Sequence, residues 1–120
     1  MAIIPAVDDS ASLRQMVAFK LKSNDHEVLG TADGQEGLNA AQCRNFDLVI
    51  SDVNMPKLDG IALFLGLRNL PGYRATPLLM LATESGDDQK QQRRSADATG
   101  LLGKPFNPDK LHNVVRQVLN

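Results

Sequence analysis

Short apolar runs alternate with helical patterns from one end of this chain to the other, and that alternation restricts the fold more than any other feature. A strand that gives way to a helix and then to another strand builds a parallel sheet covered by helices on both faces. Five such pairs are legible. Ile3-Ile4-Pro5-Ala6-Val7 is the first strand, and Ser10 stands as N-cap of a helix over Leu13, Met16, Val17 and Leu21 that ends near Asn24. Glu27-Val28-Leu29-Gly30 is a weaker strand whose one-sided pattern suits a sheet edge, and Asp33-Gly34 leads into a helix through Gly37, Leu38 and Ala41 toward Cys43. Residues 47–52 form the clearest strand, because a continuous apolar run bounded by polar residues marks burial on both faces, so this strand belongs at the centre. Pro56 turns Met55 away from helical dihedrals and makes residues 54–60 a loop, after which a helix carries Ile61, Leu63, Phe64, Leu65 and Leu67 to Leu70-Pro71-Gly72. Residues 77–82 are the fourth strand and residues 99–103 a short fifth. Pro108 then opens a last helix with Leu111, Val114, Val115 and Val118 on one face.

The expected fold class is therefore α/β, a doubly wound five-stranded parallel sheet with five helices. Two places sit badly in it. Pro5 lies inside a strand and removes a ladder donor. Residues 86–97 hold good helix formers but only Ala96 to bury, so the fourth helix is expected to be poorly anchored.

At 120 residues and 42% hydrophobic content the sequence reads as one domain with an adequate core. A net charge of −1 leaves no electrostatic footprint for nucleic acid. The lone Cys43 has no disulfide partner and no zinc-ligand spacing around it, which points to a reducing compartment and reads Cys43 as a packing residue. With no long apolar window and no signal-like start, the expected location is cytoplasmic, without membrane insertion. His26 and His112 read as structural, the Met and Phe residues as core, and Arg93-Arg94 as a solvated face.

Asp8-Asp9, Asp52 and Lys104-Pro105 each stand directly behind an apolar run. In a doubly wound sheet ligands bind outside the carboxyl ends of the strands, which is where Asp8, Asp9, Asp52, Thr83 and Lys104 would all lie. Two like charges about 4 Å apart repel by roughly 4 kcal/mol at an effective dielectric near 20, so three carboxylates need a cation or a proton. Mg²⁺ answers that need with one or two direct carboxylates and a main-chain carbonyl, for which Asn54 is well placed. A carboxylate that touches the metal and faces solvent can also be a nucleophile toward phosphorus, and Asp52 is the candidate, with Lys104 offsetting charge on the phosphoryl oxygens. Taken singly, Asp-Asp-Ser and Asp59-Gly60 are ordinary caps or turns and Lys-Pro is nothing in particular. Their order and placement in one small sheet give them weight together.

Val-Asp-Asp-Ser at 7–10, Asp-Gly-Gln-Glu-Gly at 33–37, Asp-Val-Asn-Met-Pro at 52–56, Asp59-Gly60 and Lys104-Pro105-Phe106 together resemble the receiver domains of two-component response regulators, in particular the stand-alone CheY-like type of chemotaxis. That resemblance implies the flavodoxin-like strand order 2-1-3-4-5, for which CheY is itself a standard example. It further implies that Asp52 accepts a phosphoryl group from a histidine kinase or a small phosphodonor. Asp9 and Asp52 would bind Mg²⁺ with the Asn54 carbonyl, Asp8 would help through water, and Lys104, before a cis Pro105, would contact the phosphoryl group. Asn54 and Glu84 match positions that tune autodephosphorylation. The output would be binding of a downstream protein, such as the flagellar motor switch, by a monomer or weak dimer.

The sequence departs from the family at its switch. The family's switch hydroxyl falls on Ala82, with Thr83 as its neighbour, and the aromatic switch residue falls on Leu101. Successive strand residues face opposite ways, so Thr83 substitutes only if the strand end twists or slips. A rival reading is a degenerate pseudo-receiver, a constitutive interaction module or phosphate sink. A flavin-binding enzyme or phosphatase of the same topology is disfavoured, with no Trp, one Tyr and no second nucleophile-acid pair.

Overall fold

The computed structural model describes residues 2–53, 58–83, 99–104 and 107–119. In chain order the elements are β1 (Ile3–Val7), α1 (Ala11–Lys22), β2 (Glu27–Thr31), α2 (Gly34–Cys43), β3 (Val49–Asp52), α3 (Gly60–Arg68), β4 (Leu78–Thr83), β5 (Gly100–Lys104) and α4 (Pro108–Leu119). A single 3-10 turn, Pro71–Tyr73, separates α3 from β4. All strand pairs are parallel and the sheet runs β2-β1-β3-β4-β5, so β3 is central and β2 is an edge, as their patterns require. The described residues contain four α-helices. The fifth helix expected from the sequence, over residues 86–97, falls outside them.

Alternation along the central strands sorts their side chains into two cores. On β4, Leu78 and Met80 join the layer beneath α2 and α3, whereas Leu79 and Leu81 join the layer beneath α1 and α4. Val7 and Ala6 on β1, and Val49 and Ile50 on β3, divide the same way. Phe64, Leu63 and Leu67 of α3 fill the first core, and Val17, Leu21, Leu111 and Val115 fill the second. Each fully buried Leu or Phe contributes roughly 1.5–3 kcal/mol from removal of its apolar surface from water.

Side-chain caps fix where the helices begin. Ser10 accepts from the Leu13 N–H at 3.3 Å, Asp33 from the Glu36 N–H at 2.9 Å, and Asp59 from the Ala62 N–H at 2.8 Å. A cap of this kind is worth about 1 kcal/mol. At the far end of the sheet the Tyr73 hydroxyl donates toward the carbonyls of Ala41 and Arg44 and accepts from the Phe46 N–H, tying the α3–β4 connection to the end of α2. Arg68 Nη1 donates to the carbonyls of Tyr73 and Thr76 and holds the same connection from the other side.

Three sequence expectations change here. Pro5 costs less than its place in a strand suggests. Ala2 gives its carbonyl to β2 through Glu27 N–H, while Ile3 gives its carbonyl to Asp47 on the β3 side. By alternation the ring nitrogen of Pro5 also faces β3, and β1 pairs with β3 only beyond it, at Ala6–Ile50 and Val7–Ser51. The β2 side keeps its full ladder from Ile3 to Val7. Phe19 is not a core residue: it stands 78% exposed on the outer face of α1. Cys43 is not a packing residue either, because the last turn of α2 points it to solvent.

Candidate functional site

β1 and β3 are neighbours and parallel, so their carboxyl ends deliver Asp8, Asp9 and Asp52 to one place. Each of the three offers a carboxylate oxygen, and those oxygens lie within 4.8 Å of one another. They differ in environment. Asp8 is 3% exposed and Asp52 9%, whereas Asp9 is open to solvent. Three carboxylates at this spacing are a hard, anionic, oxygen-only donor set of the kind that suits Mg²⁺, with Asp9 on its solvent side.

The main chain around these side chains is tightly determined. Asp8 donates its N–H to the Thr31 carbonyl at 3.1 Å, and its Oδ1 accepts from the Ser10 N–H at 2.8 Å. Asp52 Oδ1 accepts from the Val53 N–H at 2.9 Å, and the Ser51 hydroxyl donates to the Asp52 carbonyl at 2.9 Å. Val53 N–H continues the ladder to Leu81, and the Val53 carbonyl accepts from Gly60 N–H at 2.8 Å. Gly60 therefore lies against the backbone at the end of β3. A Cβ there would stand 2.1 Å from the Asp52 carbonyl oxygen. Gly34 does the same for the loop before α3: its N–H donates to the Leu58 carbonyl at 3.1 Å, and a Cβ would stand 2.1 Å from that oxygen. Asp59-Gly60, read from sequence as a turn or cap, and Asp33-Gly34, read only as leading into a helix, thus have a second role. Their aspartates start helices, and their glycines let the β3–α3 loop close onto both helix starts.

Lys104 is the last residue of β5 and Thr83 the last of β4, and the register sets the two side by side, with Ala82 beside Gly103. The backbone thus brings Lys104 and Thr83 to the carboxyl edge that carries the aspartates. The side chains of Ala82, Thr83, Leu101 and Lys104 lie outside the described set, as do Asn54, Glu84, Pro105 and Phe106 altogether. His26 precedes β2, at the opposite edge of the sheet, and its Nδ1 accepts from the Ala2 N–H at 3.2 Å, in keeping with a structural part. Burial, the N-terminal charge and His112 all hold the His26 pKa below its ordinary value, against a smaller upward pull from Asp25.

One residue at the site went unnoticed in the sequence. Arg14 reaches back from α1 to donate Nη1 to the main-chain carbonyl of Asp8. The available signal was a single cation one turn past the cap, at the start of a helix with no acidic residue in its first turn.

The structure superposes on the chemotaxis response regulator CheY4 of Vibrio cholerae with a TM-score of 0.94 and 46% sequence identity, over 98% of each chain. The transcriptional regulatory protein PhoP of alkaline phosphatase synthesis in Bacillus subtilis is 31% identical over 116 residues, covering 97% of this chain and 48% of that protein. PdtaR, a transcriptional regulatory protein of Mycobacterium tuberculosis, is 36% identical over 101 residues, again 48% of its length. The chain spans about half the length of these curated relatives. Residues 4–116 match the model of the response regulator receiver domain, and the chain belongs to that family.

Proposed function

We propose that this receiver takes a phosphoryl group from a histidine kinase onto the Asp52 carboxylate and passes the signal on by binding a downstream protein. The convergence of the Asp8, Asp9 and Asp52 oxygens within 4.8 Å carries this reading. Mg²⁺ fits the donor set, with Asp9, Asp52 and the Asn54 carbonyl as its ligands and Asp8 acting through water. When bound, it offsets charge on the transferring phosphoryl oxygens. An Asp52 oxygen forms the new O–P bond as the N–P bond to the kinase imidazole breaks, and the electron pair leaves with the imidazole nitrogen. Lys104 supplies a second positive charge to the phosphoryl group, and Thr83 is the hydroxyl nearest in sequence to the family's switch position. Likeness to CheY4 along both chains favours a chemotaxis output and the flagellar motor switch as partner, for a cytoplasmic monomer or weak dimer. The half-length match to transcriptional regulators leaves the output partner to experiment.

The test is to incubate the protein with Mg²⁺ and a small phosphodonor and weigh the intact chain. The wild type should gain one phosphoryl group that EDTA prevents and Asp52→Asn abolishes. Amide NMR with Mg²⁺ and beryllofluoride should show an Asp52-dependent response at Asp8 and Asp9 that reaches β4 and β5. Absence of any Asp52-dependent response would replace this reading with the constitutive pseudo-receiver.

A further inference from the structure

Asp8 is held at both of its main-chain polar groups by different means. Asp8 N–H is fixed by the Thr31 carbonyl of the edge strand β2, and the Asp8 carbonyl by the Arg14 guanidinium, which is half-buried on the first turn of α1. Arg14 is placed for this by its own helix, whose N–H at that residue donates to the carbonyl of the N-cap Ser10 at 3.0 Å. Its stem runs over Gly30 of β2, where a Cβ would lie 3.6 Å from Arg14 Cδ and 3.9 Å from Nε. A β-carbon at residue 30 would thus meet the arginine stem at ordinary van der Waals distance, and a branched side chain there would add methyl groups beside it. Since the Asp8 carbonyl and the Asp9 N–H belong to one planar peptide, fixing that oxygen fixes the plane from which the Asp9 side chain departs.

We propose that Arg14, its stem lying beside Gly30, is a positioning residue for the cation site: it orients the Asp8–Asp9 peptide and so aims the exposed Asp9 carboxylate at the ion shared with Asp8 and Asp52. This rests on the reading of that cluster as the Mg²⁺ site. The sign of the effect separates positioning from simple charge. Arg14 is a cation beside a cation site, so a purely electrostatic Arg14 opposes Mg²⁺ and its removal tightens binding. A positioning Arg14 does the reverse, and partners that orient metal ligands typically carry ten- to a hundredfold in affinity.

The experiment is Mg²⁺ titration by calorimetry and amide NMR on wild type, Arg14→Ala, Arg14→Lys, Gly30→Val and Asp9→Asn, with urea unfolding of each in EDTA. Arg14→Ala should weaken Mg²⁺ about tenfold, with the largest apo shift differences at Asp9 and Ser10. Arg14→Lys keeps the charge but not the reach and should also weaken it. Gly30→Val sets a branched side chain against the arginine stem with a residue that strands favour, so Mg²⁺ binding should weaken while the EDTA urea midpoint holds or rises. Unchanged or tighter Mg²⁺ binding in Arg14→Ala, or Gly30→Val indistinguishable from wild type, overturns the proposal and leaves the site reading intact. A wild type that does not bind Mg²⁺, or an Asp9→Asn that binds equally well, removes the site reading and this inference together.

Discussion

Replacing Gly60 by alanine adds one methyl group where neighbouring backbone leaves it no room. The new Cβ would stand 2.1 Å from the Asp52 carbonyl oxygen and 3.0 Å from both Asp52 C and Val53 Cα, where real Cβ atoms essentially never come closer than 3.0 Å to a neighbour. About 0.9 Å must open between the start of α3 and the end of β3. The obstruction is backbone, held by the Ser51 hydroxyl on the Asp52 carbonyl and by the Val53 N–H bond to Leu81, so no side chain can rotate away. Overpacking usually costs 1–3 kcal/mol, and a rigid obstruction belongs at the upper end, so about 3 kcal/mol is expected. For a domain of this size that lowers the melting temperature by roughly 10–15 °C. The same displacement moves the Asp52 backbone, so Mg²⁺ affinity should fall as well. Gly66→Ala is the control, because its Cβ meets only Leu38 methyls at 3.4 Å and a helix-interior alanine is favoured over glycine. Calorimetric melting and Mg²⁺ titration of both variants decide the matter. A Gly60→Ala protein that melts with wild type and binds Mg²⁺ equally well would refute the claim that this contact sets the site.

Tyr73→Phe should cost about 1–3 kcal/mol in urea unfolding without altering Mg²⁺ binding, since it strips a hydroxyl from the Ala41 and Arg44 carbonyls and the Phe46 N–H at the edge opposite the aspartates. An unchanged urea midpoint would show that water replaces those bonds freely. His26 sets an acid limit. Its folded pKa is held below the ordinary 6.5, chiefly by burial, so the unfolded chain binds the proton more readily and stability falls as pH drops below about 6.5. His26→Gln should flatten the fall in urea midpoint below that pH, and a variant that declines as steeply as wild type would assign it to other groups.

The parts of the fold that follow from hydrophobic period were open to reading in the sequence. Residues 47–52 announced a strand buried on both faces, and β3 is the central strand. Glu27-Val28-Leu29-Gly30 announced an edge, and β2 is one. The three aspartates were legible because each follows an apolar run, and parallel strands put their carboxyl ends on one side. What depends on which backbone face meets which neighbour was not. The tolerance of Pro5 turns on its nitrogen facing β3, and the importance of Gly60 turns on a main-chain oxygen that no composition or spacing reveals. Phe19 misled because apolar character says that a residue prefers burial, while only the packed structure says whether the helix face beneath it has room.

The short ladder between β1 and β3 has one more consequence. With ladder pairing limited to Ala6–Ile50 and Val7–Ser51, and only the Ile3–Asp47 bonds beyond it, this is the thinnest seam of the sheet, and it divides β2-β1 from β3-β4-β5. Asp8 and Asp9 hang from one half and Asp52 from the other. An ion shared by all three would therefore be a rivet across that seam, so that filling the site and knitting the two half-sheets together would be one event.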